Sequence, residues 1–181
     1  MANIILNGKT VVTQTGNDEP VLGSNVILTN DSLASATFPA GHVIQVVYAE
    51  STTATSITST SQGSGTSTGL SATITPVSSS NKFFISYVGS FMLAQHSAPG
   101  LSVEIYDGSS VVATENQNWG IYVNGDGDEY GNAYKYPFQT YITPSSSGSI
   151  TYTVRAWKTG NAATAQPSSR LSTLTIMEIQ Q

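Results

Sequence analysis

FPAGHVIQVVYAE opens the stretch of residues 38–76, a long Ser/Thr/Gly tract follows, and GLSATITP closes it. The Pro-Ala-Gly turn at residues 39–41 precedes an apolar run, which predicts a β-strand over residues 42–48. At residues 70–74 every second side chain is apolar, which predicts a strand with one face in a core. Two strands therefore flank a segment of very different composition.

The tract between those strands, residues 51–69, consists almost wholly of Ser, Thr and Gly. Small polar side chains cannot supply a hydrophobic core. We therefore predict a long surface loop, with one short strand near Ile57.

The alternation of strand, turn and polar loop continues to the C-terminus. Further strands are predicted at residues 82–93, 101–105, 111–114, 119–123, 134–142, 150–156 and 171–179, and a polar loop is predicted at residues 160–169. Short strands at even spacing indicate a sandwich or barrel. The predicted fold class is all-β, a jelly-roll-like antiparallel β-sandwich of about eight strands with an N-terminal β-hairpin arm.

The run at residues 82–93 is apolar on both of its faces. One face carries Phe83, Ile85, Tyr87, Gly89, Phe91 and Leu93, and the other carries Phe84, Val88 and Met92. Only one face of a strand can point into a two-sheet core. The second face is therefore expected to meet either a second subunit or the N-terminal arm.

Residues 1–37 are predicted to form the arm, and residues 38–181 the sandwich domain. Asn-Gly at positions 7–8 lies between two β-rich runs, which is a strong hairpin signal, and a short strand is expected near residues 25–29. A lone hairpin buries too little surface to be stable. The arm is therefore expected to pack on the main domain, on a sister subunit or on another protein. Its apolar side chains for binding a partner are Ile4, Ile5, Leu6, Val11 and Val12.

Composition excludes several classes of protein. Charged residues are 9% of the 181, against about 25% in an ordinary domain. The net charge of −5 and the scattered basic residues argue against nucleic-acid binding. The absence of cysteine excludes disulfides and thiolate metal sites. No signal peptide and no membrane-spanning run is visible, so assembly in a cytosol and no membrane insertion are expected.

The sequence offers one motif for nucleophilic catalysis, G-x-S-x-G at residues 65–69 with Ser67 at its centre. A nucleophile elbow requires an apolar strand before the serine and a helix after it. Here a polar tract precedes Ser67 and a strand follows. No Asp or Glu separates Ser67 from His96, the next histidine. The protein is therefore predicted not to be an enzyme.

Neither a cofactor nor a metal is predicted. The acidic loop at residues 124–132 resembles the start of an EF-hand, but Glu129 replaces the required glycine and Lys135 the final glutamate. An exposed loop is expected there, with an irregular calcium site as the alternative. His42 is expected in a turn or core. The aromatic residues Trp119, Tyr122 and Tyr130 could either pack or stack on a sugar.

Three segments in order carry a resemblance: FPAGHVIQVVYAE, then GLSATITP followed by the Lys82 strand, and the terminal LTIMEI. Together they resemble a group of tailed-bacteriophage virion structural proteins of marine and cyanobacterial phages, over about residues 38–181. The resemblance implies a non-enzymatic β-sandwich on the particle surface that forms a homotrimer.

The leading hypothesis is a capsid decoration protein, of cement or head-fibre type, held on the virion by residues 1–37. The sequence has no heptad repeat, no collagen-like repeat and no long shaft, which a tail fibre usually needs as a spacer. The expected partners are further copies of the chain and the major capsid protein or another virion protein. The alternative is a tail-fibre tip or lectin-like receptor-binding domain, with a host-surface glycan as its partner.

Overall fold

The computed structural model describes residues 2–6, 9–14, 16, 21–22, 39–93, 100–114, 121–122, 133–159 and 163–181. The chain divides into two compact units, Met1–Thr37 and Phe38–Gln181. Strands dominate the described residues of both units, so the predicted all-β class is confirmed. Within the described ranges there is no helix long and apolar enough to cross a membrane.

The first unit contains a small antiparallel sheet. Its strands are β1 (Ala2–Leu6), β2 (Lys9–Gln14) and β3 (Val21–Leu22), in the order β1-β2-β3. Leu6 pairs with Lys9, so the predicted N-terminal hairpin is present. The strand expected near residues 25–29 lies outside the described residues.

Two antiparallel sheets make up the second unit. Their strands are β4 (Val43–Ser51), β5 (Thr55–Ile57), β6 (Thr66–Ile74), β7 (Lys82–Leu93), β8 (Gly100–Tyr106), β9 (Val111–Thr114), β10 (Ile121–Tyr122), β11 (Ala133–Ile142), β12 (Ile150–Thr159), β13 (Ala163–Ala165) and β14 (Ser172–Ile179). In the first sheet the strands lie in the order β4-β14-β7-β11. The short strand β13 pairs with the C-terminal end of β7, and β5 pairs with β13. The second sheet has the order β6-β12-β8, and both β9 and β10 pair with β8.

The strand order within these sheets is that of a jelly roll. Counted along the chain, with β9 and β10 as one position and the short β5 and β13 left aside, there are eight strand positions. The first sheet holds positions 1, 8, 3 and 6, and the second holds 2, 7, 4 and 5. This arrangement corresponds to two Greek keys folded into two facing sheets.

The core lies between the two sheets and follows the predicted alternation. Phe83, Ile85, Tyr87, Phe91 and Leu93 of β7 are all buried on one face, as predicted. The Phe83 ring meets the ring of Tyr152 in β12 edge-to-face, at 5.9 Å between centroids. Each large apolar side chain buried in this way contributes about 1.5–3 kcal/mol to folding.

Gly89 makes room for an aromatic neighbour on this inner face. A Cβ atom at position 89 would lie 2.0 Å from the hydroxyl oxygen of Tyr87. The Tyr87 ring therefore lies over the glycine, and it reaches Phe91 edge-to-face at 6.4 Å.

The predicted loop boundaries were wrong in two places. Within residues 160–169, predicted as a loop, Ala163–Ala165 form β13, because both alanines are buried between β7 and β5. Within residues 51–69, β6 begins at Thr66, since its polar residues pair with β12. The short strand expected near Ile57 is present as β5.

Candidate interaction surface

The outer face of the first sheet, called here the open face, consists of the outward-pointing side chains of β4, β14, β7 and β11. Its first row crosses all four strands and is apolar throughout. Strand pairing aligns Tyr141, Phe84, Met177 and Val46 in that order. Tyr141 is 52% exposed and Val46 is 54% exposed, while Phe84 and Met177 are half-buried.

Two further rows run parallel to the first. The second consists of Gln139, Ser86, Thr175 and Tyr48, and the third of Pro137, Val88, Thr173 and Glu50. Tyr48 is 57% exposed and donates a hydrogen bond to Glu50 at 2.8 Å. That hydrogen bond is the main cause that raises the pKa of Tyr48. Across the three rows, Val46, Tyr48 and Tyr141 are each more than half exposed to solvent.

The open face extends over four strands. Four strands spaced about 4.8 Å apart give a width of about 19 Å. Over the eight residues of β14 the length is about 26 Å. The projected area of the whole face, with its polar and apolar side chains together, is thus on the order of 500 Å².

The part of the second sheet's outer face around Glu104 is covered by the protein's own chain, while Ser71, Thr73 and Thr151 on the same face are exposed. The Ser/Thr/Gly tract between β5 and β6 lies over it, and the backbone N–H of Lys158 in β12 donates to the Ser59 carbonyl at 3.0 Å. Beneath the tract, Glu104 of β8 is completely buried. Its carboxylate accepts hydrogen bonds from the backbone N–H groups of Gly63 and Gly65, both at 2.8 Å. Glu104 therefore anchors a segment that has no apolar side chains of its own to bury.

The packing around this anchor is tight. A Cβ atom at position 65 would lie 2.7 Å from Oε1 of Glu104 and 3.0 Å from Cβ of Arg155. Arg155 pairs with Glu104 across the strands, and its guanidinium carbon lies 3.3 Å from the ring centroid of Tyr106. This cation–π contact lies on the outer face of the second sheet, beside the tract.

Glu178, in β14, anchors the β6–β7 turn in the same manner. It is buried and accepts hydrogen bonds from the side chains of Asn81 and Gln45 and from the backbone N–H groups of Val77 and Ser78. Burial acts to raise the pKa of Glu178, but the hydrogen bonds outweigh it and hold the pKa below its usual value. The carboxylate is therefore ionised and structural.

A third buried carboxylate, Asp107, holds the β8–β9 turn. Its Oδ1 atom accepts hydrogen bonds from the backbone N–H groups of Ser109 and Ser110, at 2.9 and 2.7 Å, and from the Ser109 hydroxyl. Burial acts to raise the pKa of Asp107, but these hydrogen bonds outweigh it and lower the pKa to about 2. The turn includes Asp107-Gly108, where Gly108 takes a φ of 96°.

The predicted arm anchors lie on two paired strands. Ile4, Ile5 and Leu6 belong to β1, and Val11 and Val12 belong to β2. Ile4 pairs with Val12. Ile4 is 57% exposed, and Val12 is half-buried.

The residues considered for chemistry are not brought together in the described part of the chain. Ser67 is exposed within β6, a strand, and so it is not on a strand-to-helix elbow. The Nδ1 atom of His42 lies 3.1 Å from the Pro39 carbonyl oxygen, in the turn before β4, as predicted. Across the described ranges no three His, Cys, Asp or Glu side chains cluster as metal ligands would.

Several other predicted features fall on residues that the structure does not describe. These are His96, Trp119, Tyr130 and the acidic loop 124–132. Tyr122 lies in β10, at a position where only the backbone is described. The calcium and sugar hypotheses therefore remain predictions.

Comparison with known proteins finds similar solved structures but no matching family. No protein-family model matches the chain, and no curated protein matches it. Among solved structures, it is similar to the VP2 subviral particle of infectious bursal disease virus, with a TM-score of 0.40 and 15% identity over 77% of this chain and 38% of that chain. It is also similar to the Gx strain of the same virus, with a TM-score of 0.38 and 15% identity over 100% of this chain and 50% of that chain.

The chain thus spans half or less of the length of those two viral proteins. Likenesses at these TM-scores and identities are too loose to transfer details of fold or function. The jelly roll is defined by the strand pairing of this chain alone.

Proposed function

We propose that the protein is a non-enzymatic structural component of a bacteriophage virion, a capsid decoration protein of cement or head-fibre type. It is assembled in the host cytoplasm, attaches to the shell through residues 1–37 and associates with further copies of itself through residues 38–181. The predicted number of copies is three, as the resemblance to tailed-phage virion proteins implies.

One observation carries this proposal: in the second unit the buried carboxylates bind turns and loops, whereas apolar side chains are exposed on the open face. Its three described buried carboxylates, Glu104, Asp107 and Glu178, each bind backbone N–H groups of a turn or loop. Its open face presents exposed apolar side chains. Carboxylates committed to turns and an apolar face available for packing suit a protein that works by assembly.

The first unit offers a means of attachment. Within the described residues, β1 pairs only with β2, so its other edge carries backbone groups free to pair with a further strand. An exposed Ile4 on that edge strand can add apolar burial. Strand addition combined with apolar contacts is a recurrent binding mode, and it requires no salt bridge.

Immunolabelling of intact phage particles tests the proposed location. An antibody against the chain should label the head over its whole surface. Label restricted to the tail would contradict the decoration role and favour a fibre tip that binds a host-surface glycan. The absence of label from every particle would contradict the virion proposal itself.

Substitution within the full chain tests the attachment. Ile4→Asp should reduce binding to particles stripped of this protein, because a carboxylate replaces an exposed apolar contact. The matched control is Val77→Asp, at a position 66% exposed in the β6–β7 turn of the second unit. Equal binding of the two variants would contradict attachment through the arm.

A further inference from the structure

We propose that the open face is the surface through which copies of this chain associate, around a rotation axis that runs along the strands of the first sheet. This inference rests on the proposed assembly role and names the surface that performs it.

The distribution of charge on the open face is that of a protein interface. The first two rows contain no carboxylate, ammonium or guanidinium group. Charged groups lie at the ends of the face, with Lys82 at one end and Glu50 and Lys135 at the other. Interface cores are depleted of charge and enriched in aromatic residues and methionine, whereas their rims are polar. Tyr141, Phe84 and Met177 lie in the first row, between Lys82 at one end and the uncharged second row, in agreement with this pattern.

The rows make the face complementary to itself. A rotation axis parallel to the strands reverses the order of the strands but leaves each row at the same height. The apolar first row of one copy therefore meets the apolar first row of the next, with Tyr141 approaching the partner's Val46. A twofold axis brings the whole face of one copy against that of the other, whereas a threefold axis keeps the rows level and brings the Tyr141 edge of one copy against the Val46 edge of the next, as the predicted trimer requires.

Electrostatics does not oppose this contact. The whole chain has a net charge of −5, so two copies repel each other weakly at long range. The open face carries one carboxylate, Glu50, and two ammonium groups, those of Lys82 and Lys135, so it is not an acidic region. A basic or nucleic-acid partner has little charge to recognise here, whereas a second copy provides a matching apolar surface.

The size of the face is also adequate. Its projected area of about 500 Å² per copy amounts to about 1,000 Å² over two copies in a twofold contact, which is the area that a biological interface is expected to reach. A contact over the whole face would thus be sufficient for a specific complex.

A matched pair of valine substitutions tests the inference on the full chain. Val46→Lys places an ammonium group in the apolar row, and Val77→Lys makes the same change at an exposed site outside the face. Sedimentation over a concentration series should give two or three copies for the wild-type chain and for Val77→Lys. For Val46→Lys the dissociation constant should rise about tenfold or more, since the ammonium group must be buried unpaired. Thermal unfolding of both variants checks that each is folded.

Two results would overturn the inference. A wild-type chain that sediments as a monomer at every concentration would do so, as would a pair of variants with equal dissociation constants. These results are independent of the immunolabelling. Monomers on labelled particles would overturn the self-association surface alone, whereas oligomers absent from all particles would overturn the virion proposal alone.

Discussion

The outer faces of the two sheets differ in what covers them. The second sheet is overlaid at one end by the Ser/Thr/Gly tract, which a completely buried Glu104 holds, and the outward side chains that remain exposed on it, Ser71, Thr73 and Thr151, are small and polar. The first sheet leaves Val46, Tyr48 and Tyr141 about half exposed. Here a polar segment covers part of a sheet through hydrogen bonds to a buried carboxylate, whereas the apolar side chains without such a cover are available to a partner.

Removing the anchor of the covered face should have the largest effect. Glu104→Ala leaves two backbone N–H groups without their charged acceptor, and should lower the free energy of unfolding by about 3 kcal/mol. Glu50→Ala, the matched change on the open face, should cost less than about 1 kcal/mol because Glu50 is exposed. Urea unfolding measures both. Equal losses would mean that Glu104 does not hold the tract.

Crowding the same anchor should have a smaller effect. Gly65→Ala places a methyl group 2.7 Å from Oε1 of Glu104, and should cost about 1–3 kcal/mol as the tract shifts. Gly148→Ala, in the β11–β12 turn, meets its nearest atom at 3.4 Å and should be close to neutral. A neutral result for Gly65→Ala in urea unfolding would show that the tract is not closely packed on the sheet.

Acid should loosen the carboxylate-held turns of the second unit. The pKa of Asp107 is about 2 in the folded protein and about 3.9 in an unfolded chain. A lowered folded pKa contributes stability that is present above the unfolded value and is lost as the pH falls from about 4 towards 2. When the free energy of unfolding is measured with urea across this pH range, that of Asp107→Asn should fall by less than that of the wild-type chain. An identical decline in the variant and the wild-type chain would contradict the assignment.

The smallest expected effect concerns the stacking contact beside the tract. Arg155→Lys keeps the positive charge but loses the planar group that lies on the Tyr106 ring, and should cost about 0.5–1 kcal/mol. Arg170→Lys is the control, because Arg170 is exposed. Indistinguishable unfolding midpoints for the two variants would show that the stack contributes nothing measurable.

Much of the fold could be predicted because the strands alternate strictly. The two faces of β7, the turn at Asp107 and the inner face of β12 follow directly from the positions of apolar and turn residues. Proline has no backbone N–H to donate, so within a sheet it is confined to edge strands or bulges, and Pro137 follows this rule. It is exposed in β11, a strand that pairs only with β7 in the part of the chain the structure describes. The strand β13 was missed because Ala-Thr-Ala has little apolar character outside its tertiary context.

The anchoring carboxylates could not be predicted from the sequence. Glu104 and Glu178 occur within strands, where an acidic residue usually points to solvent, and the groups they bind are backbone N–H groups far away in the sequence. The apolar second face of β7 could be predicted from the sequence, and so could two alternatives for what it contacts, a second subunit and the N-terminal arm. The pairing that aligns Phe84 with Tyr141 and Met177 was needed to show a continuous surface.

The central claim is that the open face is in contact within the assembled protein and that exposed sites elsewhere are not. The chain contains no cysteine, so a single introduced thiol reports on one site. Val46→Cys and Val77→Cys can each be treated with a maleimide, and the labelling rate measured for the full chain at high and at low concentration. We predict slow labelling of Val46→Cys that accelerates on dilution, and fast labelling of Val77→Cys at both concentrations. Equally fast labelling of the two thiols at high concentration would contradict the claim.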